Sequence, residues 1–134
     1  MDQLPVFVYG TLRPGRGNYG WALSGRTVNE EPATLAGAVM HHGPGFPYVV
    51  TGDGVVVGDL IEVDPAAYDD VMASLDALEG YRPARRSNLY DRVVTSVRTA
   101  TGPRKAWVYL AARVPAGPLV ASGEWPGPSR DRVA

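Results

Sequence analysis

Runs of apolar and alternating residues divide most of the chain into short strands. These runs are rich in β-branched and aromatic residues, and turns containing glycine or proline separate them. The strands predicted in this way are residues 6–9, 33–40, 46–51, 55–63, 89–98 and 105–112. Between the third and the fourth, residues 52–54 (GDG) have the composition of a tight hairpin turn. We therefore expect paired strands joined by loops rather than a helix bundle.

One segment, 64–80, has the period of an amphipathic helix instead. Asp64 can cap the first N–H groups, Pro65 suits the first helical position, and Gly80 is typical of a helix C-terminus. The apolar residues of the segment fall on one face, and they are Tyr68, Val71, Met72, Leu75 and Leu78. This spacing predicts a helix with a single apolar stripe.

Glu79 is a carboxylate within that stripe, because it follows Leu75 by four positions. It also ends the helix, where the dipole disfavours a negative charge, and both burial and the dipole raise the pKa of a carboxyl group. A carboxyl group with a pKa near neutrality suits general acid–base catalysis. The alternative is a solvated residue of the last turn, or an ion pair with Arg82, Arg85 or Arg86.

The first predicted strand ends abruptly at Gly10, and a second break follows at Pro14 and Gly15. Backbone N–H groups that converge in such a turn form a site for an anion, for example a carboxylate. Gly10 permits a close approach of a ligand, and Arg13 adds a positive charge nearby. The alternative is a plain strand followed by a loop.

Two further patterns carry little weight. Gly15, Gly17 and Gly20 have the spacing of a dinucleotide-binding fingerprint, but the segment that follows is too short for the helix that the fingerprint opens. His41 and His42 are neighbours, so on a strand they would point to opposite faces. We therefore expect a solvated pair in a loop and no metal site.

Composition limits the class of protein. The chain has 134 residues and a formal net charge of −1, which predicts one domain over 1–125 and argues against nucleic acid as the main partner. It has no apolar run of membrane-spanning length and no recognisable secretion signal, so the cytoplasm is the expected location. The absence of cysteine excludes disulfides and thiolate zinc sites. Residues 126–134 are expected to form a mobile tail. The oligomeric state stays open.

Residues 9–13 (YGTLR), at the end of the first strand, resemble the signature of the gamma-glutamylcyclotransferase-like family. This family includes the AIG2-like proteins and gamma-glutamylamine cyclotransferase. Residues 75–81 (LDALEGY) and 89–92 (LYDR) resemble the second half of the signature, in which a helix ends in L-D-x-x-E-G before the next strand. Residues 122–125 (SGEW) resemble the S-G-D-W of small bacterial members. The likeness follows the family's order along nearly the whole chain.

The resemblance implies an α+β fold, a small mixed β-barrel of about six strands with flanking helices. It also implies a cofactor-independent and metal-independent enzyme. In such an enzyme the substrate's alpha-amine attacks its own gamma-carbonyl, which releases 5-oxoproline and a free amine. Glu79 would be the acid–base residue, and the turn would hold the glutamyl group with backbone groups. The predicted substrate-binding residues are Tyr9, Gly10, Thr11, Leu12, Arg13 and Tyr90.

Two points stay open at this stage. Tyr90 can offer its hydroxyl group to a ligand, but a tyrosine at the start of a strand more often packs with its hydroxyl group in water. A fold does not guarantee chemistry, so the alternative function is a non-catalytic binder of a glutamate-like small molecule on the same fold. The leaving amine is not identified by these motifs.

Overall fold

The strands and helices are seen in a computed structural model that describes residues 3–43, 47–82, 90–112 and 117–125. The strands are β1 (Val6–Val8), β2 (Thr27–His42), β3 (Pro47–Val63), β4 (Tyr90–Thr99) and β5 (Gly102–Ala111). The helices are α1 (Tyr19–Ala22), which follows β1, and α2 (Tyr68–Glu79), which follows β3. The predicted α+β class is confirmed.

The five strands close into a barrel in the order β1-β3-β2-β4-β5. β1 pairs antiparallel with β3 and parallel with β5, where Val6 lies beside Trp107. The other neighbours in the barrel pair antiparallel. Closure gives β1 a neighbour on both sides, so this strand of three residues is held between β3 and β5. The predicted mixed barrel with flanking helices is confirmed.

The described residues form five strands where the sequence predicts about six, because the sequence predicts two strands over residues 46–51 and 55–63. Residues 47–63 form the single strand β3, and the expected turn at 52–54 lies inside it. A Cβ atom on Gly52 would lie 2.9 Å from the side chain of Val39 on the neighbouring strand. Glycine therefore allows a close approach of two strands here. The register of the pairing shifts at this point, because residues 52–54 of β3 stand opposite the single residue Gly37 of β2.

β2 is longer than predicted at both ends, and it includes His41 and His42, which were expected in a loop. Residues 117–120 extend the pairing of this end of β2. The N–H of Val120 donates a hydrogen bond to the Met40 carbonyl at 2.8 Å, and the N–H of His42 donates to Pro118 at the same distance. These contacts keep the two histidines in the sheet.

The prediction for the helix is confirmed with one difference. Its start is a short 3-10 turn, Pro65–Ala67, in which the Asp64 carboxylate accepts a hydrogen bond from the Ala66 N–H at 3.0 Å. Four of the five stripe residues are buried on α2, and they are Tyr68, Val71, Met72 and Leu75. Leu78 is the exception, because 36% of it is exposed.

The core consists of two apolar clusters on opposite sides of β1. Val6 and Val8 pack with α1 and the buried face of α2, whereas Phe7 and Tyr9 pack with residues from the other four strands inside the barrel. Alternation along β1 explains the division, since successive side chains point to opposite faces. β1 is therefore buried on both faces and fixes the position of the turn that follows it.

Three predictions concern parts of the chain outside the described residues. They are the tail 126–134, most of the arginine-containing loop after Arg82, and the start of the fifth predicted strand at residue 89. Among the helices that are described, none has the length and hydropathy that a membrane crossing requires.

Candidate active site

A cavity of about 160 Å³ lies where the turn after β1 faces the C-terminus of α2. The rest of the lining includes Pro47 at the start of β3, Tyr90 at the start of β4 and Tyr109 near the end of β5. The described residues that line it are Phe7, Val8, Tyr9, Gly10, Thr11, Leu12, Asn18, Pro47, Leu78, Glu79, Tyr90 and Tyr109. The structure thus brings together the turn residues 9–12, Glu79 and Tyr90, which are far apart in the sequence.

The turn after β1 is closed by two backbone hydrogen bonds. The Arg13 N–H donates to the Gly10 carbonyl at 3.0 Å, and the Asn18 N–H donates to the Thr11 carbonyl at 2.8 Å. The N–H groups of Gly10, Thr11 and Leu12 donate to no acceptor in the described part of the chain. Three consecutive backbone donors beside the cavity are the arrangement that suits a bound anion.

The small size of Gly10 suits its place beside Pro47. A Cβ atom at this position would lie 3.0 Å from Cδ of Pro47, which forms the facing wall of the cavity. The φ angle of Gly10 is not positive, since the positive values belong to other glycines. The close neighbour of Gly10 in this structure is Pro47, and the predicted close approach of a ligand to Gly10 stays a prediction.

Glu79 is the last residue of α2, and the way the helix ends holds it at the cavity. Gly80 adopts a left-handed conformation with φ 69°, and the Tyr81 N–H donates to the Asp76 carbonyl at 2.8 Å. This pattern is a Schellman motif, which closes a helix with a fixed geometry. Burial raises the pKa of Glu79 to about 7. No cation in the described part of the chain forms an ion pair with it.

Three tyrosines line the cavity together with Glu79. The hydroxyl group of Tyr9 donates to the Tyr109 carbonyl at 2.5 Å, Tyr90 donates to a carbonyl of β3 at 3.2 Å, and Tyr109 donates to the Asp76 carboxylate at 2.7 Å. Burial is the main reason that the pKa of each hydroxyl group is raised, and negative charge on nearby carboxylates adds to it. The tyrosines therefore stay protonated and supply a neutral wall around Glu79.

Arg13 is not among the described residues that line the cavity. Its Nε lies 2.7 Å from Oδ2 of Asp59 on β3, and its Nη1 lies 3.2 Å from Oε2 of Glu124. The same nitrogen is 3.3 Å from the Trp125 carbonyl. These contacts turn the guanidinium towards β3 and the segment 117–125. They disfavour the predicted contact of Arg13 with substrate, which stays a prediction.

The sequence analysis did not single out Asn18 or Tyr109. Nδ2 of Asn18 donates to Oγ1 of Thr11 at 2.7 Å, so the side chain braces the turn from within the cavity wall. Asn18 lies in a glycine-rich segment whose spacing is that of a dinucleotide fingerprint. Tyr109 is one of two aromatic residues on β5, and only closure of the barrel places it beside Glu79. No local signal identifies either residue.

The described ranges contain no group of three metal-ligating side chains close enough to share an ion. Nδ1 of His41 lies 2.8 Å from the Gly117 carbonyl, so one ring nitrogen is already engaged.

Residues 6–127 match the family model described as "Gamma-glutamyl cyclotransferase, AIG2-like". The chain belongs to this family. A second member, the gamma-glutamylcyclotransferase family protein YtfP of Escherichia coli K12, is 30% identical over 121 residues, which cover 90% of this chain and 94% of YtfP. The "Gamma-L-glutamyl-butirosin B gamma-glutamyl cyclotransferase" of Niallia circulans is 31% identical over 109 residues, which cover 81% of this chain and 67% of that protein.

Solved structures of the gamma-glutamyl cyclotransferase, AIG2-like family share the barrel. The solution structure of E. coli YtfP superposes with a TM-score of 0.60 at 29% identity, covering 96% of this chain and 99% of YtfP. The crystal structure of an AIG2-like protein of Mus musculus superposes with a TM-score of 0.65 at 21% identity, covering 84% and 80%. The mouse protein is evidence for the fold alone. The family resemblance predicted from the sequence is confirmed.

Proposed function

We propose that this member of the family converts a gamma-glutamyl amide to 5-oxoproline and a free amine, with Glu79 as general acid and base. Membership of the family supports the class of reaction. One observation supports the assignment of Glu79: its carboxyl group, with a pKa of about 7, lines the same cavity as the unused N–H groups of the first turn.

The size of the cavity suits the glutamyl part of such a substrate. An engineered cavity of about 150 Å³ holds one benzene molecule, so about 160 Å³ takes a group close to the size of the five-membered product ring. In our proposal the N–H groups of Gly10, Thr11 and Leu12 hold the alpha-carboxylate. The confined space then favours a folded glutamyl chain, with the alpha-amine near the gamma-carbonyl.

Glu79 moves the proton in this mechanism. Its carboxylate accepts a proton from the alpha-ammonium group, and the free amine attacks the gamma-carbonyl carbon, forming the new C–N bond. The tetrahedral intermediate collapses as the old C–N bond breaks, and Glu79 returns the proton to the leaving nitrogen. The ring nitrogen then gives its second proton to the Glu79 carboxylate, which passes it to the released amine or to water, so that the neutral lactam is formed. A pKa of about 7 suits a group that must both accept and donate a proton near neutral pH.

The neighbouring side chains have supporting roles in the proposal. The hydroxyl groups of Tyr9 and Tyr109 are engaged in hydrogen bonds of 2.5 Å and 2.7 Å, whereas that of Tyr90 makes a longer bond of 3.2 Å to Pro47. Tyr90 is therefore the tyrosine that we assign to contact with substrate. Arg13 would act indirectly, by holding the turn in place.

The direct test is to incubate the protein with a panel of gamma-glutamyl amides and to measure 5-oxoproline. The panel contains gamma-glutamyl-alanine, simple gamma-glutamyl alkylamides and a gamma-glutamyl-lysine-type amide. Gamma-L-glutamyl-butirosin B is included, because it is named in the description of a relative. We expect 5-oxoproline from at least one amide, and its loss in Glu79→Gln.

Asp69→Asn is the matched control, since it makes the same chemical change on the exposed face of α2. It should leave turnover unchanged, and circular dichroism should show both variants folded. Turnover that survives in Glu79→Gln would show that the assigned residue is wrong. Binding of the amides without any 5-oxoproline from the wild-type protein would favour the non-catalytic binder instead.

A further inference from the structure

We propose that Trp21 and Leu78 form the subsite for the leaving amine and select amines with an extended apolar carbon skeleton. The inference rests on the proposed function, because a leaving amine exists only if the substrate is a gamma-glutamyl amide. It goes beyond the proposed function because it names two residues that contact the leaving amine and the chemical class of that amine. The leaving amine is the part of the substrate that the cavity does not enclose.

The volume of the cavity places the leaving amine outside it. About 160 Å³ accommodates the glutamyl group and leaves no room for a second group of similar size. The leaving nitrogen must still lie next to Glu79, because this residue returns the proton to it. The rest of the amine therefore extends from Glu79 through the mouth of the cavity and onto the surface of the protein.

Leu78 marks the open side of the cavity. It lines the cavity and is nevertheless 36% exposed, whereas the other four residues of the apolar stripe of α2 are buried. Leu78 also directly precedes Glu79 in the helix. A partly exposed apolar side chain next to the proton donor offers contact to the group that is attached to the leaving nitrogen.

Trp21 is a second exposed apolar residue, and a hydrogen bond connects it to the wall of the cavity. Its indole is 53% exposed, yet Nε1 donates a hydrogen bond of 2.8 Å to Oδ1 of the cavity-lining Asn18. Asn18 in turn donates to Thr11 of the turn at 2.7 Å. The ring is thus held in place before a ligand arrives, which reduces the entropy lost on binding.

The chemistry of this mouth disfavours an amino acid as the leaving group. An alpha-amino acid places a carboxylate at this mouth, where Leu78 is apolar and the indole N–H of Trp21 is already bonded to Asn18, so neither residue offers the carboxylate a hydrogen bond for the water it loses. An alkyl or aryl amine has no such charge, and its carbon skeleton can cover the indole and Leu78. Trp21 and Leu78 therefore favour amines with a longer apolar skeleton.

The experiment compares gamma-glutamyl-methylamide, gamma-glutamyl-hexylamide and gamma-glutamyl-alanine in the full chain and in variants. We expect the lowest KM for the hexylamide. Trp21→Ala should raise the KM for the hexylamide about fivefold to tenfold more than that for the methylamide, because only the longer amine loses buried methylene groups. Trp21→Phe keeps an aromatic face without the N–H. It should retain most of the difference in KM between the hexylamide and the methylamide.

Val94→Ala is the control, since Val94 is an exposed apolar residue on β4 that does not line the cavity. It should change neither KM. Equal effects of Trp21→Ala on both amides would overturn the subsite, because a contact with Asn18 alone would affect every substrate alike. A lower KM for gamma-glutamyl-alanine than for the hexylamide would overturn the selection of apolar amines.

Calorimetry on the Glu79→Gln background separates the failure of this inference from the failure of the proposed function. If the wild-type protein forms no 5-oxoproline, the proposed function fails. A tighter binding of the hexylamide that is lost with Trp21→Ala would still support the apolar subsite. Equal binding of the hexylamide and the methylamide would overturn it.

Discussion

Replacing Glu79 by glutamine should change how the stability of the protein depends on pH. Burial raises the pKa of this carboxyl group from 4.5 to about 7. Between these values the folded state binds a proton that the unfolded chain has released. The free energy of unfolding therefore falls as the pH rises through this interval, and the contribution of Glu79 to the fall is about 3 kcal/mol. Glutamine does not ionise, so the variant lacks this contribution.

Urea denaturation of the wild-type protein and of Glu79→Gln at about pH 5 and about pH 8 measures the effect. The difference in unfolding free energy between the two proteins should shift by about 3 kcal/mol in favour of the variant at the higher pH. Other titrating groups cancel in this difference. In Asp69→Asn, on the exposed face of the same helix, the unfolding free energy should depend on pH as it does in the wild-type protein. The same pH dependence of the unfolding free energy in Glu79→Gln and in the wild-type protein would refute the argument that burial raises the pKa of Glu79.

Three further predictions concern the framework of the site. Gly58→Ala places a Cβ atom 2.2 Å from the Val8 carbonyl and should lower the unfolding free energy by more than about 3 kcal/mol, and a normal melting temperature would contradict this. Tyr109→Phe removes the 2.7 Å hydrogen bond to Asp76 and should cost about 1–2 kcal/mol in urea denaturation, whereas an unchanged midpoint would show that the bond contributes nothing. Arg13→Ala removes both ion pairs of this side chain and should raise KM more than it lowers kcat; a selective loss of kcat would argue for direct contact with the reacting atoms.

The parts of the fold that depend on local patterns could be predicted from the sequence. β1 is a short run of sheet-forming residues that ends at Gly10, and α2 has a clear period between Asp64 and Gly80. The position of Glu79 in the apolar stripe follows from the same period. Its raised pKa has burial as its cause in the structure. The contribution of the helix dipole stays a prediction.

The parts that depend on long-range contacts could not be predicted. The turn composition at 52–54 is accommodated as an irregularity within β3, because the residues on both sides of it pair with β2, and this pairing is a property of the closed barrel. The partners of Arg13 are 46 and 111 positions further along the chain. The exposure of Leu78 reflects the cavity beside it and not the helical period, which predicts a buried side chain.

The pH dependence of kcat/KM for a gamma-glutamyl amide tests the central claim most directly, because it reports the pKa of the acid–base group in the free enzyme. Glu79 must be ionised to accept the first proton. We therefore predict that kcat/KM rises with pH along a limb centred at about 7, the pKa that burial gives this carboxyl group. A value of kcat/KM that is constant between about pH 5 and about pH 8 would contradict the account.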